Sequence, residues 1–179
     1  MADAINAIRF RGAALYLFLA LTVIFARMLP LGFEPGRLPG PDILLVLTIV
    51  WTIRRPDDLP PGLVAVTFHF ADLLLMRPPG LMALLALLGT EFLRSRSNQT
   101  NGAPFAVEWL IAAVLIAGIM ILYYLSHFLF ALPVPSLGLY LFSVVISAVS
   151  YPFLTAILRW GFGIRRPGAD EGIGAGGQL

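Results

Sequence analysis

No aspartate, glutamate, lysine or arginine occurs between Glu108 and Arg159, and Pro133 with Pro135 divide that run into two apolar segments. A helix of roughly 20 apolar residues crosses the ~30 Å hydrocarbon core of a bilayer. Each segment is therefore long enough to span a membrane, and the rest of the 179-residue chain repeats the pattern in shorter blocks. The spans read as residues 11–29, 42–53, 61–76, 79–93, 105–131 and 136–160. The breakers between them are Pro30 to Pro41, Pro56 to Pro61, Pro78 with Pro79, the polar run Arg94 to Gly102, and Pro133 with Pro135. The expected fold is an all-α integral membrane protein, six transmembrane helices in one bundle over residues 1–166, followed by a flexible Gly-rich tail, 167–179. The second span is the awkward one. Its twelve clearly helical residues reach only about 18 Å, so either the bilayer thins locally or neighbouring helices shield its ends.

Charge direction gives the orientation. With the N-terminus inside, Arg9, Arg11, Arg54, Arg55, Arg94, Arg96, Arg159, Arg165 and Arg166 are internal, while Arg27, Arg37 and Arg77 are external. The positive-inside rule favours that arrangement, with both termini cytoplasmic. Trp51, Trp109 and Trp160 are expected at the inner interface. The run after Arg11 lacks a small-residue cleavage site and reads as a retained first span.

Composition removes most chemistry. The chain is 59% hydrophobic and 12% charged, which is about half the usual charge of a soluble domain. All basic residues are arginine, so there is no lysine for a phosphate loop, a Schiff base or a serine–lysine dyad. There is no cysteine, and His69 and His127 are too few for a histidine metal site. No catalytic, cofactor or metal site is expected. The basic pI reflects arginines scattered beside membrane segments, so no nucleic-acid partner is implied.

The polar residues inside this apolar chain are the candidates for function. Asp42 begins the second span, Asp72 lies near the outer end of the third, and Arg77 occupies the turn that follows. These residues either cap helices and pair with one another, or form an outer polar patch that receives a partner's membrane segment. His69 and Asp72 share a helical face, where an interhelical hydrogen bond is favoured over a proton relay. His127 reads as an interfacial residue. Glu91, Arg94 and Glu108 are expected to form ion pairs at the inner face, with Glu108 favoured by the dipole of its helix. Ser143 with Ser147, and Ala113 with Ala117, recur at the small-xxx-small spacing that lets helices pack closely.

Three blocks stand in a definite order. Pro41 and Asp42 precede Ile43, Leu44 and Leu45, with Trp51, Arg55 and Pro56 further on. Asp72, Leu73 and Leu74 precede Pro79, Gly80 and Leu81. Tyr151, Pro152, Phe153 and Leu154 stand shortly before the basic end. Over about Pro39 to Trp160 this order resembles the MreD family, the small membrane subunit of the bacterial rod-shape system. The chain departs from the family at Leu75 and Met76, where Ser-Gly is common, and at Phe68, where glycine is frequent.

The resemblance implies a non-catalytic scaffold in the bacterial inner membrane that binds MreC directly. MreB, RodA and a class-B transpeptidase are the wider partners, and the role is in lateral peptidoglycan synthesis and rod shape. Asp42, Asp72, Arg77 and Gly80 then become partner-binding or structural candidates, and self-association stays open. The family is similar in fold to the substrate-binding subunits (S-components) of energy-coupling-factor transporters, so a vitamin-type transporter subunit is the alternative. Against it, Leu17, Phe18 and Ile24 stand where an Ala-x-x-x-Ala docking face would be needed on the first helix.

Overall fold

The computed structural model describes residues 2–29, 40–100, 104–130 and 136–164. Within them the chain forms α1 (Ala2–Met28), α2 (Ile43–Arg54), a 3-10 turn (Pro56–Asp58), α3 (Pro61–Leu74), α4 (Leu81–Thr100), α5 (Phe105–Leu129) and α6 (Leu137–Phe162). No strand occurs among the described residues. The expected tail 167–179 and the residues Arg37, Pro133, Pro135, Arg165 and Arg166 lie outside them.

Arg9–Met28, α5 and α6 are each long and apolar enough to cross a membrane. Their outward surfaces carry bare hydrocarbon: Phe18, Val114, Val145 and Phe153 are each more than 60% exposed. Water does not tolerate contiguous apolar surface on this scale, whereas lipid does. The chain is a helical membrane protein.

Polar contacts between helix ends show that α1 and α2, α3 and α4, and α5 and α6 run in opposite directions. Arg27 at the end of α1 meets Asp42 at the start of α2, and Asp72 late in α3 meets the start of α4. Arg94 late in α4 reaches the Leu59 carbonyl ahead of α3, and Tyr140 early in α6 donates to the Met120 carbonyl late in α5. All charged contacts therefore collect at two opposite ends, which we call the Asp42 end and the Arg54 end.

The short second helix is the centre of this arrangement. Every residue from Leu44 to Thr52 is buried, on all sides of the helix. A helix apolar all round belongs in a core, while one with a single apolar stripe belongs on its surface. α1, α4, α5 and α6 all pack on α2, and α3 bridges α1 and α4. The mismatch between 18 Å of helix and ~30 Å of hydrocarbon is removed because α2 is enclosed by protein along its length. Trp51 is accordingly a core residue, edge-on to Tyr16.

Two helices run beyond the expected spans. α1 begins at Ala2, well before residue 11, and α4 continues through the polar run to Thr100. Arg, Ser, Asn and Gln do not break a helix as proline or glycine does, so Arg94 onward simply extends α4. The close approach of α4 to α5 is at Gly89, where a Cβ would lie 2.5 Å from Ile119 Cδ1. On α5 the buried residues include Ala112, Ile116, Ile119 and Met120; Ala113 and Ala117 are partly buried beside them, and Ala117 packs against the core.

Pro152 stands inside α6 and has no N–H for the Ala148 carbonyl four residues back. That carbonyl is taken by the indole Nε1–H of Trp109, at 2.9 Å across the α5–α6 contact. A stranded carbonyl in a lipid environment is costly, so proline and tryptophan act as a pair. Trp109→Phe is expected to lower stability by about 1–2 kcal/mol. In a Pro152→Ala background, where a backbone N–H is restored, the same change should have a much smaller effect. Reversible unfolding of purified protein in mixed micelles checks both values.

Candidate functional site

At the Asp42 end, the sequence places a carboxylate one residue before α2, where it accepts from the Leu45 N–H at 3.3 Å and caps the helix. The same carboxylate lies 3.7 Å from Arg27 Nη2 and 3.4 Å from Arg77 Nη1. Arg27 also donates to the Pro41 carbonyl. Two serines of α6 fix the approach to this cap. Ser147 Oγ accepts from the Asp42 N–H at 2.8 Å and donates to the Ser143 carbonyl, while Ser143 donates to the Gly40 carbonyl at 3.0 Å. Spacing predicts a small-residue face for these serines. Their hydroxyls add a hydrogen-bonded clasp on the α2 entry, which no local sequence signal indicates.

Asp72 is fully buried and does a different job from Asp42. Its Oδ2 accepts from the Gly80 N–H at 3.1 Å and the Ala83 N–H at 3.3 Å, so it caps α4 from the preceding helix. Its own backbone carbonyl takes the Arg77 N–H at 2.9 Å, and the Leu73 carbonyl takes the Met76 N–H. This is a Schellman ending of α3, and it requires a left-handed residue at its hinge. That residue is Met76, with φ +53°. Gly80, with φ +82°, supplies the second left-handed position, which only glycine adopts freely. Arg77 thus leaves the turn aimed at Asp42, not at Asp72. His69 is exposed on α3 while Asp72 is enclosed, and no hydrogen bond joins them, so a relay between the two has no path.

The expected inner-face cluster separates into two pairs. Glu91 accepts from Arg94 Nη1 at 2.6 Å, and Arg94 also reaches the Leu59 carbonyl, pinning the loop before α3 to α4. Glu108 instead meets Arg54 Nη2 at 3.2 Å and accepts from the Tyr151 hydroxyl at 2.7 Å. Both charged groups are buried, and they join the end of α2 to α5 and α6. Arg54 also lies in the last turn of α2, where the dipole favours a cation. Composition could not reveal the part of Tyr151 in this contact, because it is one of five tyrosines in an apolar chain.

Around the Asp42 cap the helices leave a cavity of about 590 Å3, lined by Arg27, Asp42, Arg77, Tyr123, Tyr140 and Ser143 with apolar neighbours. A second, largely apolar groove of about 720 Å3 runs between α4 and α5. No group of three or more metal-ligating side chains is present among the described residues. No family model matches the sequence, and no curated protein or solved structure matches it.

Three outcomes follow. Glu108→Leu leaves Arg54 buried without its carboxylate and should cost about 3–5 kcal/mol, with much of that recovered in Arg54→Met/Glu108→Leu. Met76→Gly relieves the left-handed strain of roughly 1–2 kcal/mol, partly offset by the freer unfolded chain, and should raise the melting temperature. Asp58, in the turn between α2 and α3, has its carboxyl pushed above the usual range by burial, partly offset by Arg55. The fold therefore favours its protonated form. That contribution is full below the ordinary aspartate value of about 3.9 and is lost as pH rises through the raised one. Asp58→Asn should flatten the fall in stability with rising pH, which pH-dependent melting curves read directly.

Proposed function

We propose that this chain is a non-catalytic scaffold subunit of the bacterial cell-wall elongation machinery, similar to MreD. In this reading it crosses the inner membrane six times with both termini cytoplasmic, and binds MreC through membrane-embedded faces. One observation carries the reading. Residues from all three family-like blocks meet the two ends of α2: Asp42 lies at one, where it pairs with Arg77 and where Asp72 and Gly80 shape the adjoining turn, and Tyr151 lies at the other, where it meets the Glu108–Arg54 pair. Motifs far apart in the chain thus belong to one framework.

The departure from the family at residue 76 has a physical counterpart. The position at which the family commonly has glycine is the left-handed hinge of the α3–α4 turn, occupied here by Met76. The turn keeps the geometry that glycine serves, and this supports an equivalent turn in the two. Partner binding fits the rest of the molecule: α1 buries Tyr16, Ala20 and Ile24 but leaves Phe18, Leu21 and Phe25 exposed. The reading as a transporter's solute-binding subunit draws on the 590 Å3 cavity.

Affinity purification of the tagged chain from a rod-shaped bacterium in mild detergent, with partners identified by mass spectrometry, separates the two. Co-purification of MreC is expected; recovery of transporter ATPases without MreC would overturn the proposal. Asp72→Leu removes the cap on α4 and should reduce MreC capture several-fold, whereas His127→Leu should leave it near the wild-type level.

A further inference from the structure

The arginines of this protein are matched to carboxylates one to one in four places: Arg9 with Asp57, Arg54 with Glu108, Arg55 with Asp58 and Arg94 with Glu91. The Asp42 end breaks the pattern, because Arg27 and Arg77 share the single carboxylate of Asp42. Asp72 acts on Arg77 through space and not by contact. It is absent from the lining, and its Oδ2 is held by the Gly80 and Ala83 N–H groups at the positive end of α4. Among the residues that line the cavity, two are cationic and one is anionic.

The donors are also asymmetric. A guanidinium has five N–H groups. The contacts of Arg27 to Pro41 and Asp42 use Nη2, and those of Arg77 to Asp42 use Nη1 and Nη2. Nη1 and Nε of Arg27 make no hydrogen bond among the described residues. Asp42, with Oδ1 toward Leu45 and Arg27 and Oδ2 toward Arg77, fixes both cations beside the cavity. The remaining walls are aromatic and apolar, from Tyr123, Tyr140, Leu75, Met82 and Met120.

We propose that this cavity binds an anionic phosphate group, with Arg27 as the main donor and Arg77 as the second charge. Guanidinium groups match phosphate oxygens in geometry as well as charge. One phosphodiester supplies a second anion for the two lining guanidinium groups, and the apolar wall accepts the carbon skeleton attached to it. The cavity lies where helices end, so a lipid headgroup is one source and a soluble phosphate ester is the other. The inference is independent of whether MreC is the partner.

Native mass spectrometry of the full chain after delipidation, with phosphatidylglycerol or phosphatidylcholine added back, supplies the first arm. Melting temperature with added glycerol phosphate or inorganic phosphate supplies the second. Preferential retention of phosphatidylglycerol identifies the lipid source; stabilisation by the soluble phosphates alone identifies the other. In either case Arg27→Gln should weaken the effect by at least about fivefold and Arg27→Lys by less, and in wild-type protein 1 M salt should weaken it as well. The salt arm needs no variant and remains decisive if Arg27→Gln fails to fold. Equal retention of the two lipids with no soluble-phosphate stabilisation would overturn the proposal. So would preferential binding that is indifferent to both salt and Arg27.

Discussion

The structure depends on a charged group being held at each end of one enclosed apolar helix. α2 has no surface of its own to present to lipid, and its twelve residues stop inside the protein. Its first N–H groups and last carbonyls must therefore be satisfied by the bundle. Asp42 performs that task at one end with two arginines, and Arg54 sits at the other with Glu108 and Tyr151. Both charges have the sign that the helix dipole favours.

Such pairs are not simple sources of stability. Burying two charges removes hydration that their mutual attraction only partly replaces, and apolar residues of similar size often do as well. Their effect here is to fix position. α2 cannot slide along the bundle without separating a carboxylate from a guanidinium at one end or the other. The serine clasp on Gly40 and Asp42 acts in the same direction. Around this fixed centre, the longer helices show lipid their large apolar side chains. A framework whose polar groups are turned inward, with hydrocarbon over its outside, is suited to presenting helix faces to other membrane proteins.

Much of this was legible in the sequence, for physical reasons. Apolar run length is a direct consequence of hydrocarbon thickness, so α5 and α6 could be placed from composition alone. Proline and glycine marked the turn between α3 and α4 because no other residues do their work at Pro79 and Gly80. Run length failed where burial was by protein and not by lipid. Twelve apolar residues look too short to span, and nothing local to α2 says that four other helices pack on it and enclose it. The burial of Trp51 went unread for the same reason. Pairing was the other gap. Sequence proximity suggests Asp72 with Arg77 and Glu108 with Arg94, but helix direction sends Arg77 to Asp42 and Arg54 to Glu108. The bond from Trp109 to the carbonyl freed by Pro152 likewise joins residues 39 apart, and no periodicity announces it.

Site-directed spin labelling tests the enclosure of α2 most directly, and the absence of native cysteine gives it a clean background. Single cysteines at Val46, Ile49 and Val50, compared with Phe18, Val114 and Phe153, would be labelled in reconstituted protein. Their accessibility to oxygen and to a water-soluble nickel chelate would then be measured. All three α2 positions should be shielded from both reagents, while the other three should be open to oxygen alone. High oxygen accessibility along one face of α2 would place that helix at the lipid boundary and contradict the account.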